Sequence, residues 1–114
     1  MKANVKELVD AYRSTAVAWD ALQGDAAKAN PLFDRLQQIY KQLRTDNAGR
    51  DGISALMDDP NVGVRVMAAT HALPWAPAKA SKVLESIQSE PGLHAVSAKS
   101  TLKSFREGRL NLDW

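Results

Sequence analysis

The sequence predicts an all-α fold of about six helices, packed as three antiparallel pairs. Apolar residues recur at spacings of three and four along most of the 114-residue chain, which is the periodicity of an amphipathic helix rather than of a strand. Connections that contain proline or glycine interrupt these stretches at short intervals. A two-helix pattern also recurs in the second half of the chain. These three observations favour a single domain, residues 1–114, built as a short stack of helix pairs.

Composition is that of an ordinary globular protein, with 45% hydrophobic and 25% charged residues. A domain of this length buries roughly two thirds of the surface that its unfolded chain exposes, so it can hold a core without covalent cross-links. The absence of cysteine excludes disulfides and zinc–thiolate sites. The sequence shows no secretory h-region and no apolar run long enough to span a membrane. We therefore expect a cytoplasmic protein without a membrane partner.

The first helix is predicted to begin after Asn4, a good N-cap, with Glu7 placed three residues later as in a capping box. Gly24 is expected to end it. The residues predicted to form its apolar face are Val5, Leu8, Val9, Tyr12, Ala16, Trp19 and Leu22.

The second helix allows two interpretations because Pro31 lacks an amide hydrogen and disfavours helix at the preceding residue. Either Asn30 caps a new helix with Pro31 at its first position, after a short turn at residues 25–28, or one longer helix is kinked there. We favour the first interpretation. The apolar face that follows can pack on the first helix as an antiparallel hairpin; its members are Phe33, Leu36, Ile39, Tyr40 and Leu43.

The third and fourth helices are separated by a tight acidic turn. The third is short, from about Ala48 to Met57. Asp59 is expected to cap the fourth, with Pro60 at its first position, and the fourth runs to about Leu73. Small residues at positions 68 and 69 should let another helix approach it closely.

The last two helices are bounded by proline and glycine. The fifth is predicted at about Pro77–Ser89 and the sixth at about Leu93–Glu107, with Gly108 ending it. The tail that follows has apolar residues at alternate positions. It either docks on the helices or is frayed, and the sequence leaves both alternatives open.

The apolar pattern of the third and fourth helices recurs in the fifth and sixth, and we call this recurrence the internal echo. A two-helix unit repeated with a short connector is typical of an α-solenoid, in which each pair buries its apolar face on the next. A shift of 29 residues aligns Val64 with Leu93, Met67 with Val96, Ala69 with Ala98 and Leu73 with Leu102, and a shift of 31 aligns Ile53 with Leu84 and Leu56 with Ile87.

The stretch LMDDPNVGVRVMAATHAL resembles the HEAT signature, in which an acidic turn and a proline precede Val-Arg and a pair of small residues. The residues that carry the resemblance are Asp59, Pro60, Val64, Arg65, Ala68 and Ala69. The resemblance implies a HEAT-like α-solenoid of short length.

More narrowly, AATHALPWAPAKASKVLESI followed by AKSTLKSFREGRL resembles a family of small bacterial HEAT-like domains of unknown function. NPLFDRLQQIYKQLR resembles the same family more loosely. Some members look like immunity proteins encoded beside bacterial toxins. The resemblance implies a cognate protein partner, namely a toxin domain, and it supplies no catalytic residue, cofactor or metal.

Potential catalytic and metal-binding groups are sparse. His71 and His94 are the only histidines, and each is expected on a partly exposed helix face, without the further ligands that a metal needs. Asp58 and Asp59 could form a carboxylate pair for acid–base chemistry, but a helix-capping turn explains both. We therefore expect no enzyme activity of the isolated chain, no metal site and no cofactor.

The candidate partner-binding residues lie at the C-terminal end. Lys99, Lys103 and Arg106 share one helix face at spacings of four and three, and Arg109 follows. They form either a basic stripe for an acidic partner or a phosphate backbone, or a solvated face whose charges favour the helix C-terminus. Trp114 is a candidate anchor in a partner's pocket, since tryptophan is enriched at binding hot spots.

The leading hypothesis is a non-enzymatic protein-binding module, most concretely an immunity protein that covers the active or substrate-binding surface of a toxin. One alternative is a HEAT-like module that binds nucleic acid through the basic face of the last helix, although the net charge of +2 is small for that role. Another is a small subunit that needs a second chain for activity. Whether the protein is a monomer or a homodimer stays open.

Overall fold

Six α-helices make up the regular structure of residues 4–113, the part of the chain that the computed structural model describes, and no strand occurs there. The all-α prediction is therefore confirmed. In chain order the elements are α1 (Val5–Ala21), α2 (Ala26–Leu43), α3 (Asn47–Ala55), a 3₁₀ turn (Leu56–Asp58), α4 (Val62–Ala72), α5 (Pro77–Gln88) and α6 (Leu93–Arg106). None of these helices combines the length and the apolar character that crossing a bilayer requires.

Several predicted helix ends are confirmed. Asn4 caps α1, and its side-chain oxygen accepts a hydrogen bond from the backbone amide of Glu7 at 2.8 Å. The bounds of α5 and α6 lie within one residue of the prediction. Gly108 follows α6 with a φ of 71°, a left-handed conformation that glycine adopts without steric cost.

The favoured interpretation of the second helix is wrong. Asp25, not Asn30, caps α2, and its side chain accepts from the backbone amide of Lys28 at 3.3 Å. Pro31 lies inside the helix. It sits in the second turn, where its missing amide removes a single helix hydrogen bond, and the earlier aspartate cap together with the apolar face that follows stabilises one continuous helix.

The ends of α1 and α4 also differ from the prediction. Leu22 rather than Gly24 is the C-cap of α1. Asn61 rather than Asp59 caps α4, since its side chain accepts from the amide of Val64 at 3.1 Å. Asp59 instead binds Arg13 of α1, with 2.7 Å between its Oδ2 and the arginine Nε. Because Asp59 forms this tertiary ion pair, the residue that caps α4 is Asn61, two positions later in the chain.

The core is centred on α4, which packs against α1, α3, α5 and α6. Ala68 and Ala69 are both fully buried, as expected for small residues that allow close helix approach. The buried residues of α4 are Gly63, Val64, Val66, Met67, Ala68, Ala69, His71 and Ala72.

The internal echo is reproduced in burial at four of its six aligned pairs and broken at two. Val64 and Met67 of α4 are 0% and 4% exposed, whereas their counterparts in α6, Leu93 and Val96, are 63% and 66% exposed. The main packing neighbours of α6 are α5 and α4. The beginning of α6 thus presents apolar side chains that the equivalent positions of α4 bury.

Candidate functional site

Two exposed large apolar side chains lie on α6 beside two lysines. Leu93 and Val96 project into solvent, and Lys99 and Lys103 continue the same side of the helix at spacings of three and four. Both lysines are exposed, and no carboxylate within residues 4–113 forms an ion pair with either. We call these four residues the α6 patch.

A groove of about 400 Å³ borders the α6 patch at Val96. It runs between α6 and the aromatic side chains of Trp19 and Phe33, whose ring centroids lie 6.3 Å apart. Hydroxyl groups along one side give it a mixed character. Its lining comprises Trp19, Phe33, Gln37, Val66, Met67, Thr70, His71, Val96, Ser97, Ser100, Thr101 and Leu112. The patch and the groove together form one continuous surface with apolar, hydroxyl and cationic groups.

A chain of buried hydrogen bonds lies beneath this groove. The Tyr12 hydroxyl lies 2.6 Å from Nδ1 of His71, and Nε2 of His71 lies 3.2 Å from Oε1 of Gln37. The Gln37 amide then donates to the backbone carbonyl of Leu112 at 2.5 Å. All three bonds can form when His71 is neutral and carries its proton on Nε2. The Tyr12 hydroxyl then donates to Nδ1 of His71, Nε2–H of His71 donates to the Gln37 side-chain oxygen, and the Gln37 amide donates to the Leu112 carbonyl.

His71 is therefore a structural histidine. The prediction of a partly exposed face is wrong for this residue, which is 2% exposed. Burial, with a smaller effect of the Arg44 charge, lowers the pKa of His71 from 6.5 to about 3. Its ring stacks on Tyr40 at a centroid distance of 4.0 Å. Burial also raises the pKa of Tyr12 well above 10.0, so both groups stay neutral near pH 7.

The described part of the C-terminal tail, residues 109–113, docks on the helices, which decides between the two alternatives that the sequence left open. Leu110 and Leu112 are partly buried against the core. Arg44 binds the tail twice, with its Nη1 2.6 Å from the Asp113 carboxylate and 3.3 Å from the Leu112 carbonyl.

A second cavity, of about 570 Å³, lies between this tail and the helices. We call it the tail pocket. Three aromatic rings and two guanidinium groups face it, and its lining comprises Tyr40, Arg44, Thr45, Arg50, Leu73, Pro74, Trp75, Phe105, Leu110, Leu112 and Asp113.

A protein-family profile described as a domain of unknown function, DUF2019, matches residues 6–106. The chain belongs to the DUF2019 family. The match runs from α1 to the last residue of α6, so it includes the α6 patch and the buried hydrogen-bond chain apart from the tail.

A solved structure is similar to this DUF2019 protein over nearly all of both chains. It is the crystal structure of the protein RPA1889 from Rhodopseudomonas palustris CGA009, with a TM-score of 0.87 and 27% sequence identity over 96% of this chain and 94% of that one. A search of curated proteins gives no match.

The candidate partner-binding residues of the DUF2019 chain fall into three groups. Lys99 and Lys103 belong to the α6 patch. Arg106 pairs with Glu85 of α5 at 2.7 Å, and Arg109 pairs with Glu107. Trp114 lies outside the described residues. Two of the four cations of the expected basic stripe therefore have an ion-pair partner within the chain, whereas Lys99 and Lys103 form no ion pair with residues 4–113.

The other titratable groups singled out in the sequence are held by partners. Asp58 pairs with Lys79 at 2.8 Å. The Arg13 guanidinium lowers the pKa of Asp59, with further contributions from the Asn61 amide and the Arg65 charge. His94 is partly exposed, as expected, and its Nε2 lies 2.6 Å from the Asp20 carboxylate. Among residues 4–113, no group of three or more His, Cys, Asp or Glu side chains could hold a metal ion.

The apolar half of the α6 patch is not predicted from the sequence. Leu93 and Val96 align with buried positions of α4, so the internal echo treats them as core. A signal was nevertheless present, because Ala98 and Leu102, which the internal echo aligns with Ala69 and Leu73, lie on the opposite side of a helical projection from Val96.

Proposed function

We propose that this chain is a non-enzymatic protein-binding module, and that it acts as a bacterial immunity protein whose α6 patch covers the active or substrate-binding surface of a cognate toxin. The observation that carries the proposal is the exposure of Leu93 and Val96. Large apolar side chains that lie together on a surface mark interaction sites more often than scattered ones do, and their repeat counterparts are buried.

The charge of the α6 patch favours an acidic partner. Lys99 and Lys103 extend from the apolar pair, and their ammonium groups have no ion-pair partner in the described part of the chain. A toxin surface with carboxylates around an apolar centre complements this arrangement. Such charges raise the association rate and select the partner, while the apolar centre and the neighbouring groove supply burial.

The HEAT-like arrangement belongs to the same proposal. In a stack of helix pairs, each pair covers the apolar face of its neighbour, and the last pair leaves its own face open. The exposed start of α6 fits such an open end. A toxin domain would then take the place that a further pair occupies in a longer stack, and it would meet the protein in the cytoplasm.

The decisive experiment combines capture with neutralisation in the native bacterium. Tagged wild-type chain, a Lys99→Glu/Lys103→Glu variant and a Lys82→Glu control are used as baits. Lys82 is an exposed lysine of α5 outside the patch. We expect wild type and the control to capture one stoichiometric protein partner and to restore growth when that partner is expressed. The patch variant should lose both.

Two outcomes would reject the proposal. The first is that no stoichiometric partner is found and no neighbouring gene encodes a growth inhibitor. The second is that the isolated chain binds DNA or RNA with an affinity that falls steeply with salt and is lost in the patch variant, which supports the nucleic-acid alternative instead.

A further inference from the structure

The tail pocket has the features of a small-molecule site, although the proposed protein interface does not use it. Its volume of about 570 Å³ lies within the roughly 300–1,000 Å³ typical of ligand sites. Apolar and aromatic side chains form most of its wall, and few polar groups face it. This combination suits a ligand with a flat apolar body and one polar group.

The polar groups of the tail pocket select the charge of the ligand. The Arg44 guanidinium lies 5.1 Å from the centroid of the Tyr40 ring, and that of Arg50 lies 6.0 Å from the centroid of the Trp75 ring. Because cations of the protein already occupy these ring faces, a cationic ligand is disfavoured. Two guanidinium groups and the Asp113 carboxylate leave the pocket lining with an excess of positive charge, which favours an anion.

Arg50 is both positioned and available. Its Nε donates to the Arg44 carbonyl at 2.9 Å, which orients the side chain, and within residues 4–113 no carboxylate forms an ion pair with it. The terminal nitrogens of its guanidinium can therefore donate to a carboxylate in a bidentate manner. Arg44 differs, because Asp113 already holds its Nη1 at 2.6 Å.

We propose that the tail pocket binds a small aromatic carboxylate, with the carboxylate on Arg50 and the ring against Phe105 and the tail leucines, beside the Trp75 indole. Trp75 is held in place for this contact, since its Nε1 donates to Ser54 Oγ at 2.9 Å and its ring stacks on Tyr40 at 6.3 Å. The Asp113 carboxylate competes with the ligand for cationic groups. The tail thus forms one wall of the site and tunes its affinity.

The test is a titration of the purified chain with 2-naphthoate and, separately, with the neutral 2-naphthamide, followed by the NMR signal of the Trp75 indole N–H. We expect saturable binding of naphthoate at millimolar or lower concentration and at least roughly tenfold weaker binding of the amide, because a charge-assisted hydrogen bond is lost. Equal affinity for the two probes, or no response to naphthoate, overturns the proposal without any mutation.

Variants then assign the carboxylate contact. Arg50→Gln should weaken naphthoate binding by roughly tenfold, whereas Arg35→Gln, which removes the same charge from an exposed position of α2 outside the pocket, should leave it unchanged. Asp113→Asn should strengthen binding severalfold because it removes the competing carboxylate. Equal losses in the two arginine variants would show a general charge effect and would reject the assignment. These outcomes do not depend on the α6 patch, so the experiments can reject the ligand site and the protein interface independently of each other.

Discussion

The Tyr12 hydroxyl lies 2.6 Å from Nδ1 of His71, and 59 residues separate the two in the chain. The contact joins α1 to α4 at the centre of the core, where both side chains are at most 2% exposed. A buried polar group is costly unless it is hydrogen-bonded. The pair is compatible with the core because each nitrogen of the imidazole has a partner, Tyr12 on one side and Gln37 on the other.

Replacing Tyr12 with phenylalanine should destabilise the protein by about 1–3 kcal/mol, since it leaves His71 Nδ1 buried without a donor. Tyr40→Phe is the matched control. The hydrogen bond that the Tyr40 hydroxyl accepts from Arg44 is long, at 3.4 Å, so its loss should cost less. Urea unfolding followed by far-ultraviolet circular dichroism measures both. Equal losses would mean that the Tyr12–His71 bond contributes no more to stability than the long Tyr40–Arg44 bond.

The low pKa of His71, about 3 in the folded state against 6.5 in an ordinary environment, makes stability depend on pH. The folded chain keeps the imidazole neutral, whereas the unfolded chain protonates it below its ordinary pKa. Stability from this group is therefore complete above about pH 6.5 and is lost as the pH falls toward 3, at about 1.4 kcal/mol per pH unit in the interval between.

His71→Gln removes this titration while keeping a polar side chain that can reach both neighbours. Between about pH 6.5 and pH 5, wild type should lose about 2 kcal/mol more stability than the variant. Urea unfolding at several pH values tests this, and the variant shares every other titrating group. Parallel pH profiles for the two proteins would show that His71 is protonated at its ordinary pKa in the folded state.

Much of the fold follows from short-range patterns. The period of the apolar residues, the Asn4 cap and the proline and glycine near residues 77, 91 and 108 set the start of α1 and both ends of α5 and α6 within one residue of their observed positions. These signals involve residues within one or two turns of each other, so the sequence displays them directly. The helix type and the approximate ends could be predicted for that reason.

Several errors come from contacts between residues that are distant in the chain. The local sequence predicts Asp59 as a helix cap, but Arg13 binds it from α1. The sequence places His71 on a partly exposed face, whereas its hydrogen-bond partners are Tyr12, 59 residues away, and Gln37, 34 residues away. The tail pocket likewise needs α2, α3, α6 and the tail together, so no local pattern could have predicted it.

Gly63→Ala should destabilise the protein by about 1–3 kcal/mol through overpacking, although alanine normally favours a helix over glycine. A Cβ at this position would lie 2.4 Å from Cγ of Asp20. That carboxylate cannot simply move away, because His94 holds it at 2.6 Å and Gln23 at 2.7 Å.

Gly24→Ala is the control for this substitution, since a Cβ there meets no atom within 4 Å. Thermal unfolding of both variants gives the comparison. We expect a lower melting temperature for Gly63→Ala and little change for Gly24→Ala. A melting temperature for Gly63→Ala at or above that of wild type would show that α1 shifts to admit the methyl group.

The α6 patch makes a prediction about stability that separates an interface from a core. Val96→Ala should change the free energy of unfolding by no more than about 0.5 kcal/mol, because the side chain is 66% exposed. Its repeat counterpart gives the matched comparison: Met67 is 4% exposed, and Met67→Ala should cost about 2–5 kcal/mol. Urea unfolding of the two variants tests the contrast. A large loss of unfolding free energy in Val96→Ala would mean that the isolated chain already buries this residue, either in its fold or by self-association. If that loss is the same across a wide range of protein concentration, the burial belongs to the fold. A small loss leaves Val96 free to contribute its apolar surface to a partner, which is what the proposed interface requires.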